Sequence, residues 1–171
     1  WWPGHPAATA RRTAWSSCPS RSGRSPARCR AAARSAARSA AAFSADGLLI
    51  PERRNASLTA AAWKTSAGAA ARLPIAQITN LSRSIEDAKT YGCFVVGLDG
   101  DADTTVDAME IADQPLYVIV GSEGKGLSRL VREKCDLLIS IPMSSAVESL
   151  NASVAMSIAL YAIDRKRSIA E

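Results

Sequence analysis

Two short segments carry residue types and spacings that hold ligands. One is Gly121-Ser122-Glu123-Gly124-Lys125-Gly126, directly after the apolar run Leu116-Tyr117-Val118-Ile119-Val120. The other is Ser149-Leu150-Asn151-Ala152-Ser153-Val154-Ala155, with Ile141-Pro142-Met143 just upstream. Both read as the end of a buried strand passing into a polar loop and then a helix, which is where open α/β sheets place their ligands. Two such junctions in one short domain imply a composite site.

The glycine loop is not a standard phosphate cradle. A P-loop needs lysine and then Ser or Thr after its last glycine, but Gly126 is followed by Leu127. The dinucleotide fingerprint fails as well, because Arg129 stands where its third glycine belongs. Glu123 would repel a phosphate while suiting a hydroxyl or a cation. Each residue also has an ordinary structural role: the glycines as a tight turn needing positive φ, Ser149 and Asn151 as first-turn residues of a helix, and Met143 and Leu150 as core.

The elements that must position these loops alternate. Gly47–Ile50 reads as a strand, Ser57–Trp63 as a helix, Ile75–Ile78 as a strand and Ser82–Tyr91 as a helix. Cys93–Gly97 follows as a strand, then a loop rich in Asp and Gly, the strand Leu116–Val120, the helix Ser128–Lys134 and the strand Leu137–Ile141. A last helix runs to about Arg167. Ser145-x-x-Glu148 matches a capping box for it, Leu150, Val154, Ile158 and Tyr161 give it a face, and Arg165-Lys166-Arg167 sit at the negative end of its dipole. Strands separated by helices of this length predict an α/β fold with a mostly parallel sheet covered on both faces.

Composition divides the chain near residue 38. From Trp1 to Gly47 there is no Leu, Ile, Val or Met, and Ala, Arg, Ser and Pro make up 30 of the first 40 residues. Those 40 residues hold 8 Arg and no acid, whereas the rest carries 13 basic against all 16 acidic groups, a net of −3. The isoelectric point of about 9.3 therefore belongs to the tail, and is weak support for nucleic-acid binding. Residues 1–38 are expected to be either a disordered basic arm or a GC-rich coding region read out of frame, with the folded domain spanning 39–171. A signal or transit peptide fits poorly, for want of an apolar core segment.

Cys18, Cys29, Cys93 and Cys135 form no C-x-x-C pair and the single histidine, His5, lies in the tail, so no metal site is expected. Cys93 and Cys135 read as buried, reduced core residues, consistent with a cytoplasmic protein. No apolar stretch approaches a membrane span.

Together the two segments resemble motifs of the SpoU (TrmH-like) family of the SPOUT superfamily, RNA ribose 2′-O-methyltransferases that use S-adenosylmethionine. Ile119 to Gly126 resembles the second motif, and Ile141-Pro142-Met143 through Ala155 the third. The resemblance runs from about Ser39 to Ala162, and Trp63-Lys64-Thr65-Ser66-Ala67-Gly68-Ala69 is similar to a cofactor-lining segment. Two departures stand out. Ser145 replaces the third motif's usual glycine, and the first motif, N-x-G-x-x-x-R, keeps only its arginine as Arg38, with Ala32 and Arg34 at its Asn and Gly positions.

The resemblance implies a deep C-terminal trefoil knot, a rare exception to unknotted topology. It implies cofactor binding by Thr65, Gly121, Gly124, Ile141, Met143 and Leu150, and a homodimer formed through the knot region with the last helix in the interface. It places Arg38, Glu123, Ser149 and Asn151 in the catalytic site, Arg38 assisting deprotonation of the 2′-hydroxyl or holding the adjacent phosphate. An arginine holds its proton too tightly to be an easy base. The RNA would be rRNA or tRNA, and Arg53, Arg54, Lys64 and Arg72 could form a basic face beside the site. With the first motif broken, a catalytically impaired, cofactor- and RNA-binding dimeric module is the alternative; a nucleotide-binding α/β protein is a third.

Overall fold

Leu116–Val120 is five apolar residues without a polar break, and all five are buried. A strand apolar on both faces belongs inside a sheet covered on both sides. The computed structural model describes residues 13–17 (backbone only), 35–51, 73–122, 126–144 and 150–169. In chain order the elements are β1 (Thr13–Ser17), α1 (35–42), β2 (Gly47–Pro51), β3 (Ile75–Ile78), α2 (Leu81–Thr90) and β4 (Phe94–Leu98). They continue with β5 (Thr104–Thr105), β6 (Leu116–Val120), α3 (Arg129–Lys134), β7 (Leu137–Ser140) and α4 (Ala152–Ile169). The strand order is β3-β2-β1-β6-β4-β7-β5. Every pairing is parallel.

The alternation of β6 divides the core. Leu116, Val118 and Val120 join one layer with Ala36, Ala40, Met156, Leu160 and Ile163 of α1 and α4. Tyr117 and Ile119 join the other, with Ile85 of α2 and Val131 of α3. Ion pairs tie the second pair of helices together and to the sheet: Lys134 with Glu86, and Lys89 with Asp136 at 2.6 Å. Asp136 also accepts from the Val95 amide at 2.8 Å.

Most expected elements recur within a residue or so, including β3 and β6 with unchanged bounds. The expected helix Ser57–Trp63 lies outside the described residues. The short β5 formed where only an Asp- and Gly-rich loop was expected.

Two features depart from the sequence reading. The expected border at residue 38 falls inside α1, and β1, from the segment expected as a tail, pairs with β2 and β6. Parallel pairing uses backbone groups and needs no aliphatic side chain. The alanines of α1 serve packing by being small: Ala36 and Ala40 are fully buried and Ala37 nearly so.

The last helix also turns a different face inward. Asn151 caps it, its Oδ1 accepting from the Ser153 amide at 2.9 Å, while the capping-box residues 145–148 lie outside the described residues. Met156, Ala159, Leu160, Ile163 and Arg167 are buried, whereas Val154 and Tyr161 are 46% and 52% exposed. The expected stripe is therefore rotated out of the core. Cys93 and Cys135, expected to be buried, are half-buried at the rim of the second layer.

Arg167 is the reason an arginine can end the buried stripe. Its Nε donates to the Ala112 carbonyl at 2.7 Å and its Nη2 to the Gln114 carbonyl at 3.0 Å, which satisfies a buried cation. Lys166 Nζ adds a bond to the Asp107 carbonyl at 2.6 Å. Charge-assisted bonds of this kind each contribute about 1.5–3 kcal/mol. Arg167→Ala is expected to lower the unfolding free energy by about 2–3 kcal/mol in urea titrations, with Lys166→Ala, at an exposed bond, costing less than half as much.

Candidate functional site

A parallel sheet sends the chain off the C-terminal end of every strand at one edge. The register places Val120, Leu98 and Ile139 side by side on β6, β4 and β7. The glycine turn after β6 and the Ile141 segment after β7 therefore leave the same edge. They stand two strand spacings apart, about 10 Å. Ile141 packs half-buried against the first core layer, Met143 is 40% exposed, and Leu150 is half-buried just before the Asn151 cap.

The glycine turn is closed by its own backbone. Ser122 and Gly126 exchange both amide bonds, N to O at 3.0 and 2.9 Å, and form an antiparallel bridge. Gly126 sits at φ +59°, in the left-handed region that favours glycine. A Cβ at Gly121 would lie 2.2 Å from the Gly126 carbonyl carbon, a clash between main chains that no rotamer can relieve. Glu123 and Gly124, the middle of the turn, lie outside the described residues, as do Thr65 and Ser149.

Between the two loops, at the end of β4, stands Asp99. The sequence reading passed over it as part of a loop. It is 8% exposed, and its Oδ2 pairs with Arg132 Nε of α3 at 3.1 Å. Gly97, on the same face, is packed so tightly that a Cβ there would lie 2.7–2.8 Å from Leu127, Cys135 and Leu138 side chains. Together these contacts hold α3, and the turn leading into it, against β4. The signal that could have found Asp99 was its place between the two motif loops at one sheet edge.

Arg38 arrives from the other side. Its helix α1 follows β1, the neighbour of β6, and packs alongside α4: Ser39 Oγ lies 2.6 Å from Ser157 Oγ, and the Phe43 and Tyr161 rings meet edge to face at 5.7 Å. Both contacts step by four residues in the same direction, so the helices run parallel and start at the same sheet edge. Arg38 and Asn151 are both exposed. Ser39 stands opposite Ser157, so Arg38 lies about a turn and a half along α4 from Asn151, and helix side chains lean toward the N-terminus, which directs Arg38 toward the Asn151 end. Gly121, Ile141, Leu150 and Asn151 are thus gathered at one edge of the sheet, with Arg38 on the helix beside α4.

This chain has counterparts elsewhere. The SpoU rRNA Methylase family model matches residues 34–161. The chain belongs to the SpoU rRNA methylase family. It is 60% identical over 126 residues to an "uncharacterized tRNA/rRNA methyltransferase" of Mycolicibacterium vanbaalenii, and 58% identical over 126 residues to a protein of the same description from Mycobacterium avium. In both cases the match covers 74% of this chain and 40% of the relative, so the chain spans about two fifths of the length of these relatives. Among solved structures, the SpoU methyltransferase AviRb from Streptomyces viridochromogenes in complex with the cofactor AdoMet superposes with a TM-score of 0.74. It is 28% identical, and the match covers 91% of this chain and 57% of that one. The α/β architecture of parallel strands flanked by helices is the family's.

Among the described residues no group of three or more His, Cys, Asp or Glu could hold a metal ion, and no helix is long and apolar enough to cross a membrane. The Cys135 thiol, just after α3, donates to the Val131 carbonyl at 3.2 Å. Burial pushes it up from an ordinary value of 9 to about 11, with Asp136 and Asp99 adding to the effect and Lys89 opposing it. The folded state then keeps its proton where the unfolded chain has lost it. The contribution is complete below pH 9 and is lost as pH rises toward about 11. Stability measured from pH 8 to 11 is expected to fall less steeply in Cys135→Ala than in the unsubstituted chain, and Cys135 is expected to resist alkylation at pH 8 while the fold is intact.

Proposed function

We propose that this chain binds S-adenosylmethionine and transfers its methyl group to a ribose 2′-hydroxyl of rRNA or tRNA, acting as a homodimer. The observation that carries this reading is the convergence of the glycine turn, the Ile141 segment, the Asn151 cap and the Arg38 helix on one sheet edge. The family membership supports the methyltransferase class. The AdoMet bound in the AviRb relative supports the cofactor.

The residues present fit such a cofactor. Gly121 and Gly126 let the turn close on itself, main chain against main chain, which fixes the shape of the loop a nucleoside would meet, and Ile141, Met143 and Leu150 offer apolar surface beside it. In this reading Gly121, Gly124, Ile141, Met143 and Leu150 hold the cofactor, with Thr65 from the segment beyond β2. The bound cofactor supplies an electrophilic methyl group on a sulfonium centre. The chain after β7 would take the knotted path that the resemblance implies.

The remaining work is positioning. Arg38 holds the phosphate next to the target ribose, a task suited to a guanidinium that never loses its charge. Asn151, with Oδ1 fixed by Ser153, orients the ribose, and Glu123 and Ser149 complete the polar lining. Fixing the hydroxyl in line with the methyl group can contribute up to about 7–11 kcal/mol. Val154 and Tyr161, seven residues apart on one face of α4, are both exposed, and a second copy of the chain laid along that helix would cover them.

One sequence feature favours a second reading. With Ala32 and Arg34 in place of the first motif's Asn and Gly, the chain would bind cofactor and RNA as a dimer without turning over. The two readings separate in one experiment. Purified protein is titrated with S-adenosylmethionine by calorimetry and assayed for methyl transfer to total rRNA and tRNA, with nuclease mapping of 2′-O-methyl positions. Binding with transfer is expected; binding without transfer establishes the second reading, and neither overturns both.

Gly121→Ala is expected to weaken cofactor binding roughly a hundredfold while leaving the far-ultraviolet circular dichroism intact, because opening the turn by an ångström misplaces its amides. Arg38→Ala is expected to lower kcat about a hundredfold, with Arg38→Lys recovering part of it because the charge remains. Val154→Asp with Tyr161→Asp is expected to yield a monomer in sedimentation velocity.

A further inference from the structure

A line of hydroxyls runs from the helix of Arg38 to the cap of the helix that begins at Asn151. Ser39 Oγ lies 2.6 Å from Ser157 Oγ. Ser157 Oγ donates to the Ser153 carbonyl at 2.7 Å, and Ser153 Oγ donates to Asn151 Oδ1 at 2.6 Å. A serine has a single hydroxyl proton. Since Ser157 spends its proton on the Ser153 main-chain carbonyl, Ser39 is the donor in the Ser39–Ser157 bond; the bond to Asn151 is made separately, by the Ser153 hydroxyl.

Neither end is an arbitrary residue. Ser39 follows Arg38 directly in α1, and Asn151 is the cap of α4 whose Oδ1 also accepts from the Ser153 amide at 2.9 Å. Ser39–Ser157 is a polar contact between the two helices, while Phe43–Tyr161 one turn on is apolar and without hydrogen-bond directionality. A slip of one helix along the other would cost about 1.5 Å per residue and would move Arg38 by that amount relative to Asn151. Hydrogen bonds at 2.6–2.7 Å permit far less.

We propose that Ser39 and Ser157 are positioning residues, which fix the height of Arg38 against Asn151. This rests on the function proposed above, in which Arg38 and Asn151 serve the same ribose. Their effect passes through the register of the two helices, so it falls on turnover and not on cofactor affinity.

The test uses the full chain with Ser39→Ala, Ser157→Ala, the double variant and Ser39→Thr. In methyl transfer, either alanine is expected to lower kcat about ten- to a hundredfold with the KM for S-adenosylmethionine unchanged within twofold. The double variant is expected to match the singles, and Ser39→Thr to recover most of the loss because its hydroxyl can still donate. In parallel, urea titrations read the contact itself: the unfolding constant of the double variant is expected to equal that of either alanine variant within twofold, where independent sites would multiply. An unaltered kcat in both alanine variants, a threonine that rescues nothing, or unfolding constants that multiply overturns the proposal. If the unsubstituted chain transfers no methyl group, the functional reading fails by itself, and the urea cycle then still decides whether Ser39 and Ser157 join the two helices.

Discussion

Parallel pairing of β6 with both its neighbours is the constraint on which the rest depends. Because β1, β6, β4 and β7 all run the same way, each must be followed by a connection that starts at one common edge, and no choice of side chains could send the glycine turn and the Ile141 segment to opposite ends. The fully buried Leu116–Val120 run enforces this arrangement, since a strand apolar on both faces finds two covered sides only in the interior of such a sheet. The two helical layers, α1 with α4 and α2 with α3, follow from its alternation. The site is therefore a consequence of the core.

The tightest point at that edge is made of main chain. Gly121 faces the Gly126 carbonyl across a gap that excludes even a methyl group, and the paired amides of Ser122 and Gly126 hold it shut. Asp99 and Arg132 brace the same region from behind, where α3 meets β4. An exposed ion pair contributes little to stability, but here the carboxylate is buried and tied also to the Asp101 amide at 3.1 Å, so breaking the pair would strand a charge. Positional stiffness of this kind suits a turn that must present backbone atoms to a ligand.

The sheet was legible because its strands are short apolar runs bounded by turn residues, and Ile75–Ile78 and Leu116–Val120 show no ambiguity of period. The two motif loops were legible by resemblance, and their meeting by topology alone. What was not legible shares a physical cause: it depends on backbone or on partner identity. β1 is Thr-Ala-Trp-Ser-Ser, a weak pattern that pairing overrides, and α1 packs through alanines that composition alone marks as filler. The face of α4 was misjudged because apolar residues occur on two sides of it, and the side that won ends in Arg167, whose burial makes sense only once the carbonyls of Ala112 and Gln114 are in view. The serine line linking α1 to α4 has no sequence signature, since residues 118 apart must first be brought together.

The charge distribution bears on how a polyanion would be held at this edge. Charge is unevenly placed along the chain, −3 over residues 41–171 and +8 over residues 1–40, and the described surface pairs many of its cations locally: Lys89 with Asp136, Lys134 with Glu86, Arg129 with Glu133, Arg132 with Asp99. Under the proposed function the grip on phosphate then falls to a few cations placed at the site, Arg38 foremost. A single well-placed guanidinium gives geometry more than affinity. Its value depends on where it stands, which is why the contact between α1 and α4 matters more to this protein than its overall isoelectric point.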